Sequence, residues 1–424
     1  MDFALSAAHE RVRETAGRVA CEVVAPRAAE VDRTGQYPWD YVDAFRDAGL
    51  LGLAFPRAYG GSEAGTLGLA LAVEEVAKYD SSAALILLTT RLTTSGILMA
   101  GTEQQKERYV RGVAEGRLRG CFALTEPEAG SDAANIATTA VHEGDEYVLD
   151  GAKLWAGQAT VADFAMVVAK TTPEAGVRGV SVFLVDLPNP GFRIVRELPK
   201  MGVLGVPVVE IDLRDCRVPA SALLGEENGG FKVVMRHLNV VRPLVAARGV
   251  GLAAGATSYA LAYAQQRRTF GQPLIDHEVI LFKLAELAMQ VEAARLLTYR
   301  AAWLVDQGGS DRDIAHHLSI AKAAASEAAV RAAEEAVQIL GGYGYLKDYV
   351  AERYYRDAKQ LTIVEGTSEI HRLIIGRAMN DGLLDWDYDV EATGGLPNDA
   401  ADRARRQALR ETHPREEQLM VGAD

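Results

Sequence analysis

The period of the hydrophobic pattern changes twice along the chain, and this restricts the folds that it can adopt. In residues 1–119 apolar side chains recur every three or four positions, which indicates helices. In residues 120–230 short segments rich in β-branched residues are bounded by glycine, proline and charges, which predicts strands. The helical period returns in residues 231–384. We therefore predict an α+β chain in which a mainly antiparallel β-domain separates two helical regions.

Individual segments give this order of elements its detail. The apolar positions within 70–77 predict a helix with one buried stripe. Residues 165–169 and 180–185 are predicted strands, and residues 281–305 and 313–340 are predicted helices. A chain of 424 residues exceeds the usual size of a single core, so two or three domains are expected.

The charge balance excludes several classes of partner. The net charge is −13 and no block of basic residues occurs, so nucleic acid and anionic membrane surfaces are poor partners. The most apolar stretch, residues 244–264, contains Arg248 and many small residues, so we expect no membrane span.

The cysteines and the N-terminus indicate the compartment. Cys21, Cys121 and Cys216 are widely spaced and odd in number, which argues against disulfides and against zinc. The first ten residues lack the basic and apolar regions of a signal peptide. We expect a cytoplasmic protein with reduced thiols.

The segment Ile363–Arg372, I-V-E-G-T-S-E-I-H-R, carries the most chemistry in the sequence. It places the carboxylate of Glu365 before Gly366, a residue type that lets a ligand approach the backbone closely. Thr367 and Ser368 add hydroxyls that can bond phosphate or ribose groups. Taken alone, such a glutamate is more often solvated at a loop tip, and only its context favours catalysis.

Four motifs supply that context. They are F-A-L-T-E-P-E-A-G-S-D at Phe122–Asp132, G-A-K-L-W at Gly151–Trp155, R-R-T-F-G at Arg267–Gly271 and V-Q-I-L-G-G-Y-G-Y at Val337–Tyr345. In this order and spacing, and with the segment at Glu365, they resemble the acyl-CoA dehydrogenase family over nearly the whole chain.

The resemblance implies a three-domain layout. An N-terminal helical domain would span residues 1–119, a middle antiparallel β-barrel or sandwich 120–230, and a C-terminal four-helix bundle 231–384. The polar tail, residues 385–424, departs from the family, whose members commonly end near the position of residue 385 here.

The resemblance also implies FAD-dependent α,β-dehydrogenation of an acyl thioester. Glu365 matches the base that removes the α-proton, while the β-hydride goes to flavin N5. Oriented donors must stabilise the enolate-like charge, and the resemblance assigns these to the Glu365 backbone N–H and a ribityl hydroxyl. Some family members carry the base where this chain has Val241, which accepts no proton, so Glu365 is the single candidate.

The same resemblance assigns contacts with FAD. Residues expected along the isoalloxazine and toward the phosphate are Phe122, Leu124, Thr125, Gly130, Ser131 and Trp155. Thr367 and Glu369 would complete the site beside Glu365. Gly157 stands where the family usually has a threonine whose hydroxyl meets flavin N5. This departure is expected to alter the flavin potential or to leave space for a bulkier or branched substrate.

A second set of contacts is expected to reach the flavin of a neighbouring subunit. These residues are Arg267, Thr269, Phe270, Gln338 and Gly342. A guanidinium matched to a phosphate is a strong, oriented contact. FAD binding would then require assembly, usually a homotetramer built as a dimer of dimers. An electron-transfer flavoprotein is the expected acceptor of the electrons.

The substrate contacts are expected on both sides of the base. Residues matching the pantetheine path and the thioester are Ser131, Asn239, Arg242 and Gly366. The segment 84–95 would line the acyl pocket, and its first half is apolar. Arg91 in this segment is expected to face solvent, with contact to a polar acyl terminus as the alternative.

Three other functions stay open. The acyl group could ride on an acyl-carrier protein in specialised metabolism, or the chain could be a flavin oxidase or a scaffold without catalysis. No Walker loop is present and no G-x-G-x-x-G follows a strand. His316 and His317 are adjacent on a predicted helix and so point in different directions, and we expect no metal site.

Overall fold

The computed structural model describes residues 4–308 and 311–387, together with Ala392 and Ala408. The chain separates into two compact units, Met1–Ile375 and Gly376–Asp424, and the core and site described below lie in the first. Helices occupy its N-terminal part: α1 (Ala7–Val19), α2 (Ala25–Thr34), α3 (Trp39–Asp47), α4 (Gly65–Ala77), α5 (Ser81–Leu92), α6 (Ser95–Ala100), α7 (Glu103–Gln105) and α8 (Arg111–Ala114).

Helix α4 is buried on more than one face. Of its 13 residues, only Gly65, Leu67 and Glu75 are not buried, so the predicted single stripe at 70–77 is wrong in extent. The reason is that α4 packs against α1 on one side and against α9 and α10 of the C-terminal part on the other. A helix enclosed in this way is apolar all round.

The strands form one seven-stranded sheet. They are β1 (Gly120–Ala123), β2 (Thr139–Glu143), β3 (Glu146–Gly157), β4 (Phe164–Lys170), β5 (Val180–Asp186), β6 (Phe192–Glu197) and β7 (Val208–Pro219). Their order is β1-β4-β2-β3-β7-β6, with β5 paired to β4. Two pairings in this sheet are parallel, β4 with β1 and β4 with β2, and the other four are antiparallel. The predicted mainly antiparallel β-domain is confirmed.

Two of the strands separate two hydrophobic cores. In β4, Ala165 and Val167 enter one core while Met166 and Val168 enter the other, and β5 alternates in the same way. Both faces of these strands are therefore buried, which explains why their sequences are continuously apolar. The predictions at 165–169 and 180–185 were correct to within a residue at each end for this reason.

Long helices return after the sheet. They are α9 (Gly230–Gln266), α10 (Glu278–Asp306), α11 (Asp311–Leu340), α12 (Ala351–Leu361) and α13 (Ser368–Asn380), with a hairpin of β8 (Arg268–Thr269) and β9 (Gln272–Pro273) between α9 and α10. Helix α9 packs against α11, α10, α12 and α4, and one core is shared by the N-terminal and C-terminal helices.

Two helical segments pass a length and composition test for a membrane span. They are Ser81–Ala100 and Gly230–Gln266, and 67% of the most apolar window of each is buried inside the protein. The expected absence of a membrane span therefore stays a prediction. The predicted polar tail, residues 385–424, lies almost entirely outside the described residues.

Candidate active site

The loop between α12 and α13 presents Glu365 in an unusual backbone conformation. Glu365 has φ 55° and Gly366 has φ 95°, and positive φ is rare for a residue with a side chain. The amide of Ile363 donates to Gln360 O at 3.0 Å, and the amide of Ser368 donates to Thr362 O at 3.0 Å. These bonds close the loop into a tight bend that isolates Glu365 at its turn.

Thr367 starts the helix that follows the bend. Its hydroxyl accepts a hydrogen bond from the amide of Ile370 at 3.3 Å, the usual contact of a helix N-cap. Glu369 in the first turn of α13 is exposed, where a carboxylate favours the helix dipole. Both residues have a structural role in this chain besides the expected contact with the cofactor.

The carboxylate of Glu365 is held away from water. Its Oε2 is buried and has no hydrogen-bond partner among the described residues. Burial raises the pKa of Glu365 above its ordinary value, and Lys322, Arg242 and Arg248 oppose that rise. An unpartnered carboxylate with a raised pKa has the properties of a general base.

Helix α9 brings two expected substrate contacts next to this carboxylate. Arg242 and Asn239 are both buried, and Nη1 of Arg242 donates to Oδ1 of Asn239 at 2.5 Å. Burial lowers the pKa of Arg242 to about 10, opposed by the charge of Glu365. Val241 between them is fully buried in the helical core.

Three buried side chains around Glu365 were missed from the sequence. Lys322 of α11 donates to Leu361 O at 2.6 Å and to Gly366 O at 2.7 Å. Arg248 of α9 is bonded to Gln360. His371 of α13 packs against the backbone of Gly366, and burial lowers its pKa to about 3, so it is neutral.

The first two sequence motifs are bonded to each other in the sheet. The amide of Leu154 donates to Thr125 O at 2.8 Å. Nζ of Lys153, fully buried, donates to Leu124 O at 3.2 Å and to Oε1 of Glu126 at 2.7 Å. The expected contacts Leu124 and Thr125 therefore lie directly beside the strand that carries Trp155.

The side chains next to this junction leave an open face. The indole of Trp155 is 58% exposed, and its backbone has φ 64°. A Cβ built on Gly130 or on Gly157 would meet no atom within 4 Å. Ser131 is exposed, in contrast to the buried Asn239 and Arg242. An exposed aromatic plane beside open backbone fits a planar ligand such as an isoalloxazine.

Phe122 lies against a buried histidine that the sequence analysis missed. The ring of Phe122 meets the ring of His237 edge to face, with centroids 4.7 Å apart. Nδ1 of His237 and Oγ of Ser95 are 2.6 Å apart, and burial lowers the pKa of His237 to about 3. A neutral imidazole thus anchors Phe122 to α6 and α9.

Residues expected to reach a neighbouring flavin line a separate cavity. Its volume is about 380 Å³, and its lining includes Arg267, Thr269 and Gly342 but not Glu365. The guanidinium of Arg267 lies 5.8 Å from the ring centroid of Tyr343. We call this space the Arg267 cavity.

The other two members of that set are exposed near the cavity lining. Phe270 is 99% exposed with φ 49°, at the tip of the β8–β9 hairpin, and Gln338 is exposed on α11. His277 ties the hairpin down, since its Nε2 lies 3.1 Å from the hydroxyl of Thr269.

Two further predictions concern single side chains. Arg91 does not extend freely into solvent, because its Nη1 donates to Ala54 O at 3.3 Å and its Nε is buried. The rings of His316 and His317 lie with centroids 4.0 Å apart and planes tilted by 46°, so the prediction that the two side chains point in different directions is wrong. In the part of the chain that the structure describes, no three His, Cys, Asp or Glu residues are grouped to hold a metal ion.

Three family models match the chain in succession. They are the acyl-CoA dehydrogenase N-terminal domain at residues 6–117, the middle domain at residues 121–216 and the C-terminal domain at residues 228–380. Among curated proteins, the chain is 42% identical to the probable acyl-CoA dehydrogenase YngJ of Bacillus subtilis, over 89% of this chain and 100% of that protein.

Solved structures agree with this match. Butyryl-CoA dehydrogenase from Megasphaera elsdenii has a TM-score of 0.87 at 38% identity, covering 90% of this chain and 100% of that one. The prolyl acyl carrier protein oxidase AnaB has a TM-score of 0.85 at 28% identity, covering 89% of this chain and 100% of that one.

Proposed function

The chain belongs to the acyl-CoA dehydrogenase family of FAD-dependent oxidoreductases, and we propose that it introduces an α,β double bond into an acyl thioester with Glu365 as the base. The observation that carries this proposal is the conformation and burial of Glu365. Its Oε2 is buried at a positive-φ bend and has no hydrogen-bond partner in the described part of the chain, and the rival position on α9 is the apolar Val241.

The chain supplies the proton chemistry of the reaction. Glu365 takes the α-proton, and closure of the site over the thioester would remove more water and strengthen the base. Arg242 and Asn239, already bonded to each other, form the polar wall beside the thioester. FAD held beside Leu124, Thr125 and Trp155 would supply the two-electron acceptor for the hydride that leaves the β-carbon.

The open face at the sheet would hold the isoalloxazine. Leu124 and Thr125 would offer it backbone groups and a hydroxyl, Trp155 would pack on its ring, and Gly130 and Ser131 would lie toward the phosphate. The exposed indole and the open space at Gly157 support this assignment. Gly157 offers N5 a backbone group and no hydroxyl.

The Arg267 cavity would take the adenosine and pyrophosphate of a second subunit's FAD. A run of exposed apolar side chains on α10 supports assembly into the proposed homotetramer: Val279, Leu281, Phe282, Met289, Leu296 and Trp303. Apolar residues left in water along one helix favour contact with a second copy. Gln338 and Phe270, exposed near the cavity lining, would contribute to the same contact.

Anaerobic reduction of the flavin by a panel of acyl thioesters tests the proposal. In Glu365→Gln the yellow flavin stays bound, and the reduction rate falls about 10²-fold or more, the range that a general base contributes. Glu334→Gln, an exposed carboxylate on α11, is the matched control and keeps the wild-type rate. Substantial reduction by Glu365→Gln would remove Glu365 from the mechanism.

The second candidate is an oxidase acting on an acyl group held by a carrier protein. The similarity to a prolyl acyl carrier protein oxidase favours it. The same panel separates the two functions when each acyl group is offered on CoA and on a carrier protein, with oxygen uptake and peroxide recorded. A dehydrogenase needs an added acceptor such as an electron-transfer flavoprotein, whereas an oxidase turns over in air and releases peroxide.

A further inference from the structure

Lys322 occupies a position where a lysine is rare. Its side chain is fully buried in the middle of α11, on a helix whose buried residues are mostly alanine and other uncharged side chains. Lysine is almost never fully buried unless its ammonium is paired or bonded. The cost of placing a charge there implies that the ammonium makes contacts that the fold or the reaction needs.

Both bonds of the ammonium go to the loop that carries the base. Leu361 is the last residue of α12, and its carbonyl, 2.6 Å from Nζ, is one of the groups that a helix end leaves unsatisfied. The second acceptor, Gly366 O at 2.7 Å, follows Glu365 directly. Lys322 therefore joins the two ends of the bend from Leu361 to Gly366 through one cation.

The bend needs such a restraint. Glu365 and Gly366 both have positive φ, and a glutamate pays a steric penalty in that region. Besides the bonds of Lys322, the amides of Ile363 and Ser368 tie the bend to Gln360 and Thr362. Neither of those bonds involves the Glu365–Gly366 pair itself, which Lys322 fixes through its carbonyl.

Charges reach Glu365 from two helices, and a neutral imidazole comes from a third. Arg242 and Arg248 come from α9, Lys322 comes from α11, and the neutral His371 comes from α13. The donors of Arg242 are directed to Asn239 and those of Arg248 to Gln360. Lys322 is the cation of this group whose donors hold the backbone beside the base, where the ring of His371 also lies against Gly366.

We propose that Lys322 is a positioning residue of the reaction: its bonds fix the bend that presents the Glu365 carboxylate, and its charge keeps that carboxylate ionised. This inference rests on the proposed role of Glu365 as the base. Lys322 touches neither substrate nor cofactor and acts through Glu365. Burial lowers the pKa of Lys322 to about 8, and the charge of Glu365 opposes that fall.

Two substitutions separate the bonds from the charge. Lys322→Gln keeps N–H donors without a charge, whereas Lys322→Met removes both. Loss of the cation raises the pKa of Glu365 further, so the acid limb of the flavin-reduction rate moves to higher pH by about one unit or more in both variants. Above that limb the glutamine variant recovers most of its rate. The methionine variant stays about 100-fold slow, the cost of a misplaced catalytic group.

The experiment is anaerobic stopped-flow reduction of the FAD-bound protein by the best acyl thioester, from about pH 6 to about pH 9.5. Lys200→Met is the matched control, because Lys200 also donates to a backbone carbonyl, Val206 O at 2.9 Å, away from Glu365. The control keeps the wild-type pH profile. If the methionine variant does not fold, the glutamine variant carries the test by its acid limb.

A merely structural lysine gives a different result. Both variants would then lose thermal stability while the acid limb stays at the wild-type pH, and that outcome overturns the inference. The proposed function fails separately, since it is decided by the wild type and by Glu365→Gln. The positioning role alone is refuted if wild type reduces flavin normally, Glu365→Gln does not, and the acid limb of the Lys322 variants stays at the wild-type pH.

Discussion

Replacing Lys153 by methionine tests how the two motifs of the β-domain are held together. Nζ of Lys153 lies 2.7 Å from Oε1 of Glu126, and both side chains are buried. The carboxylate also accepts from Ala137 N at 2.5 Å, from Thr138 N at 3.0 Å and from the Thr138 hydroxyl at 2.5 Å. The pair thus joins β3 to the loop that follows β1.

The expected loss of stability follows from the unpaired charge that Lys153→Met leaves on Glu126. Removing one partner of a buried ion pair costs about 3–5 kcal/mol, because the other charge stays buried and unpaired. Glu126 keeps its three other donors, which places Lys153→Met near the lower end, at about 3 kcal/mol. Glu126→Gln in the same chain removes the orphaned charge, so the double variant is more stable than Lys153→Met.

The pH dependence has a defined sign. Burial raises the pKa of Glu126, but the charge of Lys153 and the hydrogen bonds lower it further, so that the folded pKa lies below its ordinary value. The pair therefore stabilises the fold above the unfolded pKa of a glutamate, about 4.3, and this contribution is lost as the pH falls through the lower folded pKa of Glu126. Lys153→Met loses most of that acid-dependent stability.

Urea unfolding followed by circular dichroism at neutral pH and at about pH 3 measures both effects. Lys232→Met, an exposed lysine at the start of α9, is the control and unfolds like wild type. A loss below about 1 kcal/mol in Lys153→Met, or a double variant no more stable than the single one, would show that this pair does not anchor the motifs.

Two further outcomes are expected. Burial, with Asp80 and Asp32, raises the pKa of Asp357 to about 7. Wild type therefore loses stability as the pH rises from the unfolded pKa of an aspartate, about 3.9, and the loss is complete above the folded pKa. Asp357→Asn, which can still accept from Val203 N, is more stable than wild type at pH 8 and not at pH 4 in thermal melts. Arg267→Met loses FAD, so the ratio of visible flavin absorbance to protein absorbance falls at least about tenfold after purification. Arg268→Met is the control and keeps its FAD, because Nη2 of Arg268 donates to Gly271 O outside the cavity lining.

The order of elements could be predicted because each one repeats its own period over many residues. The strands β4 and β5 were found to within a residue since both their faces are buried and their ends are polar. The burial of α4 could not be predicted, because it depends on α9 and α10, which lie far away in the sequence. The period of the apolar residues shows that a helix has a buried face, but it does not show how many other elements pack against that helix.

The residues of the candidate site also fall into those that the sequence could indicate and those that it could not. Trp155, Gly157 and Glu365 carry signals in the sequence, since an aromatic or a glycine inside a motif stands out. Lys153 and Glu126 lie in the same motifs and gave no signal, because an ion pair between β3 and the loop after β1 depends on how the fold brings these two segments together.

Lys322 shows what sequence could still have provided. It lies four residues after Leu318 and three before Ala325, so it falls on the buried stripe of α11, where only a bonded charge is tolerated. A lysine on such a stripe predicts a partner in the core. The pattern could not identify that partner, because the acceptors are the backbone carbonyls of Leu361 and Gly366. Every residue type has a backbone carbonyl, so the sequence does not distinguish these two.

The surroundings of Glu365 meet two opposite requirements of a catalytic carboxylate. It must be ionised before substrate arrives, which the cations of Lys322, Arg242 and Arg248 favour, and it must become more basic when water leaves, which burial favours. Arg242 donates to the neutral Asn239, and Arg248 donates to the neutral Gln360. Both arginines can therefore stay in place whether Glu365 is charged or protonated. Lys322 is likewise held by two carbonyls, so proton transfer to Glu365 need not release it. The cations that favour ionisation are therefore fixed independently of it, which lets the bend keep one shape through the whole proton transfer.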